Sequence, residues 1–413
     1  MNSRYLWMKN DMNMFKLSIQ VLKAITLLLA LFNANISIAG FSTPIDPFEI
    51  PQGAYQAEFV RDLGHVAQIR FAGDYDMELP DGTFNRAARA VVAQEFYKNH
   101  SDDYDFLIVF TDFVVDTPEA AAFHVGIKND IQGIGKPIFD LTKSFGSNEK
   151  LQSYIDFAEL TRWDLAPDSA GYNSLLTVAM HEIMHRWVTG VEVMDNGVRS
   201  DVLIGQKDSH WSALLDSDAS VMYGADWIPT SEGKFKVADW KKRYSALDLY
   251  LAGFYSPAEV GPIRYIDSTD IDGNVVDVRG VGVSGQEKIF SIADIVAAEG
   301  ERVPSYESSQ KYFKAGIIFL TTDFSVPEAA VVSNLNKFGQ ELSVRFAHLT
   351  GGRGFINVEN TSQVERDDDK SDEIYFRDNI NNDLALYWLK EQQDSDFWQD
   401  TKYTSVRDSV TAN

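Results

Sequence analysis

Residues 174–188, SLLTVAMHEIMHRWV, decide how this chain is read. Leu175, Leu176, Val178, Ala179 and Met180 are nearly all apolar, so the segment reads as a buried helix that starts near Asn173 or Ser174. Into it the sequence puts His181, Glu182 and His185. Imidazoles at i and i+4 share one helical face, so both can hold one Zn²⁺ while Glu182 faces the water that the metal binds. The bland alternative is a surface helix carrying two solvated histidines. The apolar run argues against it, because two unpartnered imidazoles and a carboxylate would be costly to bury.

A catalytic zinc takes three protein ligands and leaves one position for water. The chain has no cysteine, which excludes thiolate ligands, disulfides and a thiol nucleophile. His210 is the first choice for the third ligand, since DSHWS (208–212) is loop-like and free to fold back over the helix. Its alternative role is packing beside Trp211. Asp248 is second, although Ser245 three residues earlier makes a capping box that explains it without metal. The pair Asp216 and Asp218 comes third, and Glu259 after Ser256 and Pro257 is read as a cap.

Working outward, a helix is expected from about Arg86 to Lys98, with Ala88, Val92 and Phe96 on one face. DFLIVFTDF (105–113) reads as a buried strand, and FHVGIK (123–128) alternates like an edge strand before a turn at Gly133 and Gly135. Residues 191–230 read as loop-rich. Further on, Ser245 with Asp248, Ser256 with Glu259 and Ser291 with Asp294 are helix starts. FKAGIIFLTT (313–322) is a strand, and Val331, Leu335, Phe338, Leu342 and Phe346 mark a helix closed by Gly351 and Gly352. The fold class expected is α+β. Asp267–Asn274 hints at a calcium loop, but the EF-hand spacing fails and the twelfth-position glutamate is missing, so a β-turn at Asp272-Gly273-Asn274 is preferred.

Charge narrows the partners. With 61 acidic residues against 37 basic ones and a net charge of -24, nucleic acid is excluded as an expected ligand, and anionic lipid is disfavoured. AITLLLALF (24–32) follows Lys16 and Lys23, and Ser37-Ile38-Ala39 offers small residues for cleavage, which reads as a signal peptide over residues 1–39 with Met14 as an alternative start. Asn33 and Asn35 cut the apolar run short of the roughly 20 residues that a span needs. The expected product is secreted or periplasmic, with no membrane contact after cleavage. It divides into 40–190, which carries the motif helix, 191–362, and an acidic and aromatic tail at 363–413. No phosphate loop and no GxSxG elbow occurs.

HEIMH (181–185) resembles the zincin metallopeptidases. The wider string HEIMHRW, DSHWSALLDSDASVMYG and YSALDLYLAGF with PAEV is similar to secreted bacterial proteins grouped as zinc peptidases without a characterised activity, a likeness spanning roughly 105–322. The metzincin extension would put Gly at Val188 and His at Val191, and both are absent; SVMY (220–223) looks like a Met-turn. The resemblance implies a zincin-like α+β fold: a small mixed sheet whose edge strand, Phe123 to Lys128, lies over the active-site helix, followed by a second, α/β-type subdomain that completes the metal site. It implies a zinc-dependent peptidase acting on protein or peptide substrates, with His181, His185 and His210 as ligands, Glu182 as general base and a nearby donor for the oxyanion. Tyr223 is the nominee for that donor, with Tyr250 and Tyr244 behind it. Two other functions share these residues: a zinc amidohydrolase of cell-wall peptides, and a non-catalytic secreted binding or adhesion protein that retains the fold.

Overall fold

Phe106–Thr111 is buried along its whole length, as its uninterrupted apolar sequence requires of a strand covered on both faces. The computed structural model describes residues 48–358 except 119, 168 and 189; the leader and the tail read from the sequence lie outside the described residues. Phe106–Thr111 belongs to a seven-stranded sheet in the order Gln56–Leu63, Val66–Ala72, Tyr312–Thr321, Phe106–Thr111, Ser153–Glu159, Phe123–Gly126, with Phe355–Val358 also paired to Tyr312–Thr321. The middle strands run parallel. Gln56–Leu63 and Phe123–Gly126 run antiparallel to their neighbours. The second of these is an end strand of the sheet, where the alternation of FHVG places it.

Helices cover both faces. Arg86–Asn99 lies so close to one face that a Cβ on Gly316 would come 2.9 Å from the Phe96 ring and 3.3 Å from Leu107. On the other face Phe106, Ile108 and Phe110 share a core with Leu175, Ala179 and Ile183 of the motif helix and with Leu335, Phe338 and Leu342 of the long helix Ala329–Leu349. The first sheet and the helices on it draw on residues from both sides of position 190. Tyr312–Thr321, expected in the second part, is a strand of the first sheet, and Ala329–Leu349 packs on that sheet. Parallel strands are joined by long crossovers, so a strand far along the chain can be the direct neighbour of an early one.

Residues 191–230 are also richer in structure than expected. They hold the hairpin Val193–Asp195 with Val198–Ser200 and two strands, Trp211–Asp216 and Tyr223–Ser231. The latter two sit centrally in a six-stranded, mostly antiparallel sheet with its own core around Trp227, Phe235 and Ile266. The part expected to be of α/β type thus holds this sheet together with the short helices Ala246–Leu251 and Ile292–Glu299. Its ladders carry register shifts at Trp211/Asp216 and Asp226/Trp227, which break the alternation by which strands are recognised in sequence. The three capping boxes occur as read. Asp272 accepts from the Asn274 amide at 2.8 Å in a turn. No helix among the described residues is long and apolar enough to cross a membrane.

One buried ion pair ties helix to sheet beside the edge strand. Arg89 donates to Asp156 through Nε at 3.1 Å, and its guanidinium lies 4.1 Å from the Tyr75 ring centroid and 5.2 Å from that of Phe123. Both side chains are fully buried. Removing one partner strands the other charge, so Arg89→Ala should lose about 3–5 kcal/mol of unfolding free energy. Urea unfolding checks this, and a loss near zero would show the pair to be dispensable.

Candidate metal centre

The motif helix spans Ala170–Met184, starting earlier than Ser174 because Ser169 caps it, accepting from the Tyr172 amide at 2.9 Å. Leu175, Leu176, Ala179, Met180, Ile183 and Met184 face the core. At the far end the Lys136 ammonium donates to the carbonyls of His185 and Val188, as a cation near a helix C-terminus should. Burial lowers Lys136 to about 7. Gly135, with φ of 69°, lies against the Gly190 carbonyl where a side chain would collide. Trp187 is core, packed on Phe106, Phe254 and Phe313, while Arg186 is buried and donates to Gln152 and Asn129, each at 2.9 Å.

His181, His185 and His210 converge. The Nε2 of His181 is 3.1 Å from the Nε2 of His185 and 3.1 Å from that of His210. Two of the rings are fixed from behind. His181 Nδ1 donates to the Val221 carbonyl at 2.7 Å, and His210 Nδ1 to the Gln206 carbonyl at 2.9 Å. Those bonds place the proton on Nδ1 and leave a lone pair on Nε2. Lone pairs facing each other at this distance repel unless a cation lies between them. Tetrahedral zinc with Zn–N bonds of 2.0–2.1 Å would separate its nitrogens by about 3.3 Å, so the donor set fits that ion. Burial holds His181 and His185 well below the usual histidine range and His210 at about 4, which keeps all three neutral and able to ligate.

The other proposed ligands are elsewhere. Asp248 is fully buried and spends both oxygens on structure: Oδ1 accepts from Trp211 Nε1 at 2.7 Å, and Oδ2 from Ser220 Oγ at 2.6 Å and the Ser245 amide at 2.7 Å. Asp216 accepts from the Trp227 amide and pairs with Arg264, and with Asp218 and Asp226 forms a separate acidic group. Tyr244 donates to the Met180 carbonyl at 2.9 Å, propping the helix from its buried side. Neither it nor Tyr250 lines the cleft.

The loop from Ser217 to Tyr223 carries the support of His181. Asp218, Ala219 and Tyr223 all have positive φ, at 51°, 60° and 76°. Such strain in non-glycine residues is characteristic of functional sites. It brings the Val221 carbonyl to His181, and it stacks the Tyr223 ring on His210 with centroids 4.3 Å apart and planes at 14°. Ser220 and Trp211 both end on Asp248, so one carboxylate fixes the neighbours of two putting-in points, Val221 behind His181 and His210 itself.

The cluster opens into a cleft of about 170 Å³ bounded by the edge strand, the motif helix, and residues Gln206, Lys207, Tyr223 and Lys241. Glu182 lines it, and burial pushes its carboxyl up to about 8; a divalent cation close by would draw that value down again. Burial and the Glu182 charge push Tyr223 up to about 12, leaving a protonated phenol beside the site. A fourth histidine, His124 on the edge strand, was not singled out from sequence. Its Nε2 bonds Ser153 Oγ at 2.8 Å and its ring centroid lies 6.0 Å from that of His185. The alternation in FHVGIK gives its side of the strand, and only the fold shows that this side looks onto the cleft.

Comparison of the chain with protein-family models, curated proteins and solved structures gave no match.

The Asp248 carboxylate yields a test separate from the ligands. Asp248→Asn keeps the volume but puts an amide donor where three donors converge, so zinc affinity should fall about 10- to 100-fold, as for other outer-shell changes. Chelator competition measures it, and an unchanged affinity would show that Asp248 only caps its helix.

Proposed function

We propose that this chain is a secreted zinc-dependent metallopeptidase with a zincin fold. The observation that carries the reading is the convergence of the His181, His185 and His210 Nε2 atoms beside the buried Glu182, in a cleft roofed by an end strand of the sheet. Zinc held by the three imidazoles would supply a low-pKa water and polarise the scissile carbonyl. Glu182, next to the first ligand but on no ligand position itself, accepts the water proton and passes it to the leaving amine. The outer edge of Phe123–Gly126, which ends the sheet, pairs with an extended peptide. Tyr223, protonated and stacked on His210, donates to the developing oxyanion. The leader read over residues 1–39 supports secretion, and the strand order with an antiparallel edge strand next to the motif helix supports the zincin assignment.

Two outcomes test this. The purified chain should hold about one zinc, and chelation should lower its thermal midpoint because zinc binds only the folded state; a midpoint indifferent to chelator and zinc would count against the site. Glu182→Gln should keep zinc while peptide hydrolysis drops roughly 10²- to 10⁴-fold. Equal cleavage by this variant would remove Glu182 as the base.

A further inference from the structure

The charged groups lining the cleft are Glu182, Lys207 and Lys241, so apart from the base the charged lining is cationic. That sign is opposite to the net charge of -24 carried by the chain. Both lysines are half-buried. The Lys241 ammonium lies 3.7 Å from the Tyr223 ring centroid and 4.3 Å from that of Trp240. Since His210 stacks on Tyr223 at 4.3 Å, there is no room for the ammonium between the two rings, and Lys241 sits on the opposite face of Tyr223. It is therefore one ring further out than the metal ligands. From there it cannot serve the scissile carbonyl, but it can reach a group about one residue away along an extended peptide, at roughly 3.3–3.6 Å per residue.

Asp277, the acid that faces Lys241, is clasped by Arg279, whose Nε lies 2.9 Å from its Oδ1. Lys207 stands on the side of His210, on which its charge acts. Cations in a walled cleft of a strongly acidic protein focus the field and concentrate anions. An ammonium already partly stripped of water by two aromatic rings regains most from a carboxylate. Burial lowers Lys241 to about 8, which marks that desolvation.

We infer that Lys241, helped by Lys207, forms a subsite for a carboxylate close to the scissile bond, so that the substrate is an anionic peptide. The inference rests on the peptidase reading for the bond that is cut, but not for the binding preference. Two sources offer this chemistry, an aspartate or glutamate side chain and a free C-terminus.

The test measures equilibrium binding to zinc-loaded Glu182→Gln protein, using peptide pairs that differ only as Asp against Asn, Glu against Gln, or free against amidated C-terminus. Carboxylate members should bind about tenfold tighter, as a charge-assisted contact gives, with the advantage shrinking at high salt. Preference confined to the C-terminal pairs assigns the subsite to a terminal carboxylate, and preference within the side-chain pairs to an acidic residue. Lys241→Gln should abolish the preference and Lys241→Glu invert it. Equal affinities within every pair, or no binding of any carboxylate peptide, overturns the inference without recourse to the variants. Failure of the wild-type protein to cleave any peptide while the preference persists would instead remove the peptidase reading and leave the subsite standing.

Discussion

The Nε2 lone pairs of His181 and His210 face each other within a cluster of three imidazoles, and this constraint organises the rest of the molecule. The Nε2 of His181 lies 3.1 Å from that of His185 and 3.1 Å from that of His210, and carbonyl bonds behind His181 and His210 prevent those rings from turning away. A cation at the centre would relieve that repulsion, and the donor set suits one. The helix, the strained loop and the Asp248 node can each be understood as the means of holding the cluster.

The means are distributed along the chain. His181 and His185 come from one helix whose apolar face is bound into the first sheet, while His210 precedes a strand of the second. Between them, Asp248 links the residue that follows His210 with the serine that precedes Val221. The first sheet provides the roof, through a short antiparallel strand braced by the Arg89–Asp156 pair. The second provides Tyr223, and the segment that follows its strand Lys234–Asp239 provides Lys241. Side chains held by such packed elements are positioned before any ligand arrives.

Much of this was legible in the residues because local rules and tertiary structure agree. HEIMH states through helical spacing alone that two imidazoles share a face, FLIVF states burial on both faces, and Ser245 with Asp248 states a cap that the structure contains. Other features were hidden for identifiable reasons. The strands Trp211–Asp216 and Tyr223–Ser231 pair with register shifts, so their sequences lack alternation. Asp248 read as a helix cap and a second-choice ligand, and only the fold brings Trp211 and Ser220 to it. His124 and Lys241 stand far from the motif in sequence, and no spacing rule connects them to it; the strand order does.

The measurement that bears most directly on the account is X-ray absorption at the zinc edge of the zinc-loaded protein, beside the His210→Ala variant. The account predicts a four-coordinate site with three imidazole nitrogens at about 2.0–2.1 Å and one further light-atom ligand in the parent, and one imidazole fewer in the variant. A parent spectrum with two imidazoles, or an identical spectrum from the variant, would contradict it, because the convergence of His210 with His181 and His185 would then have no part in holding the ion.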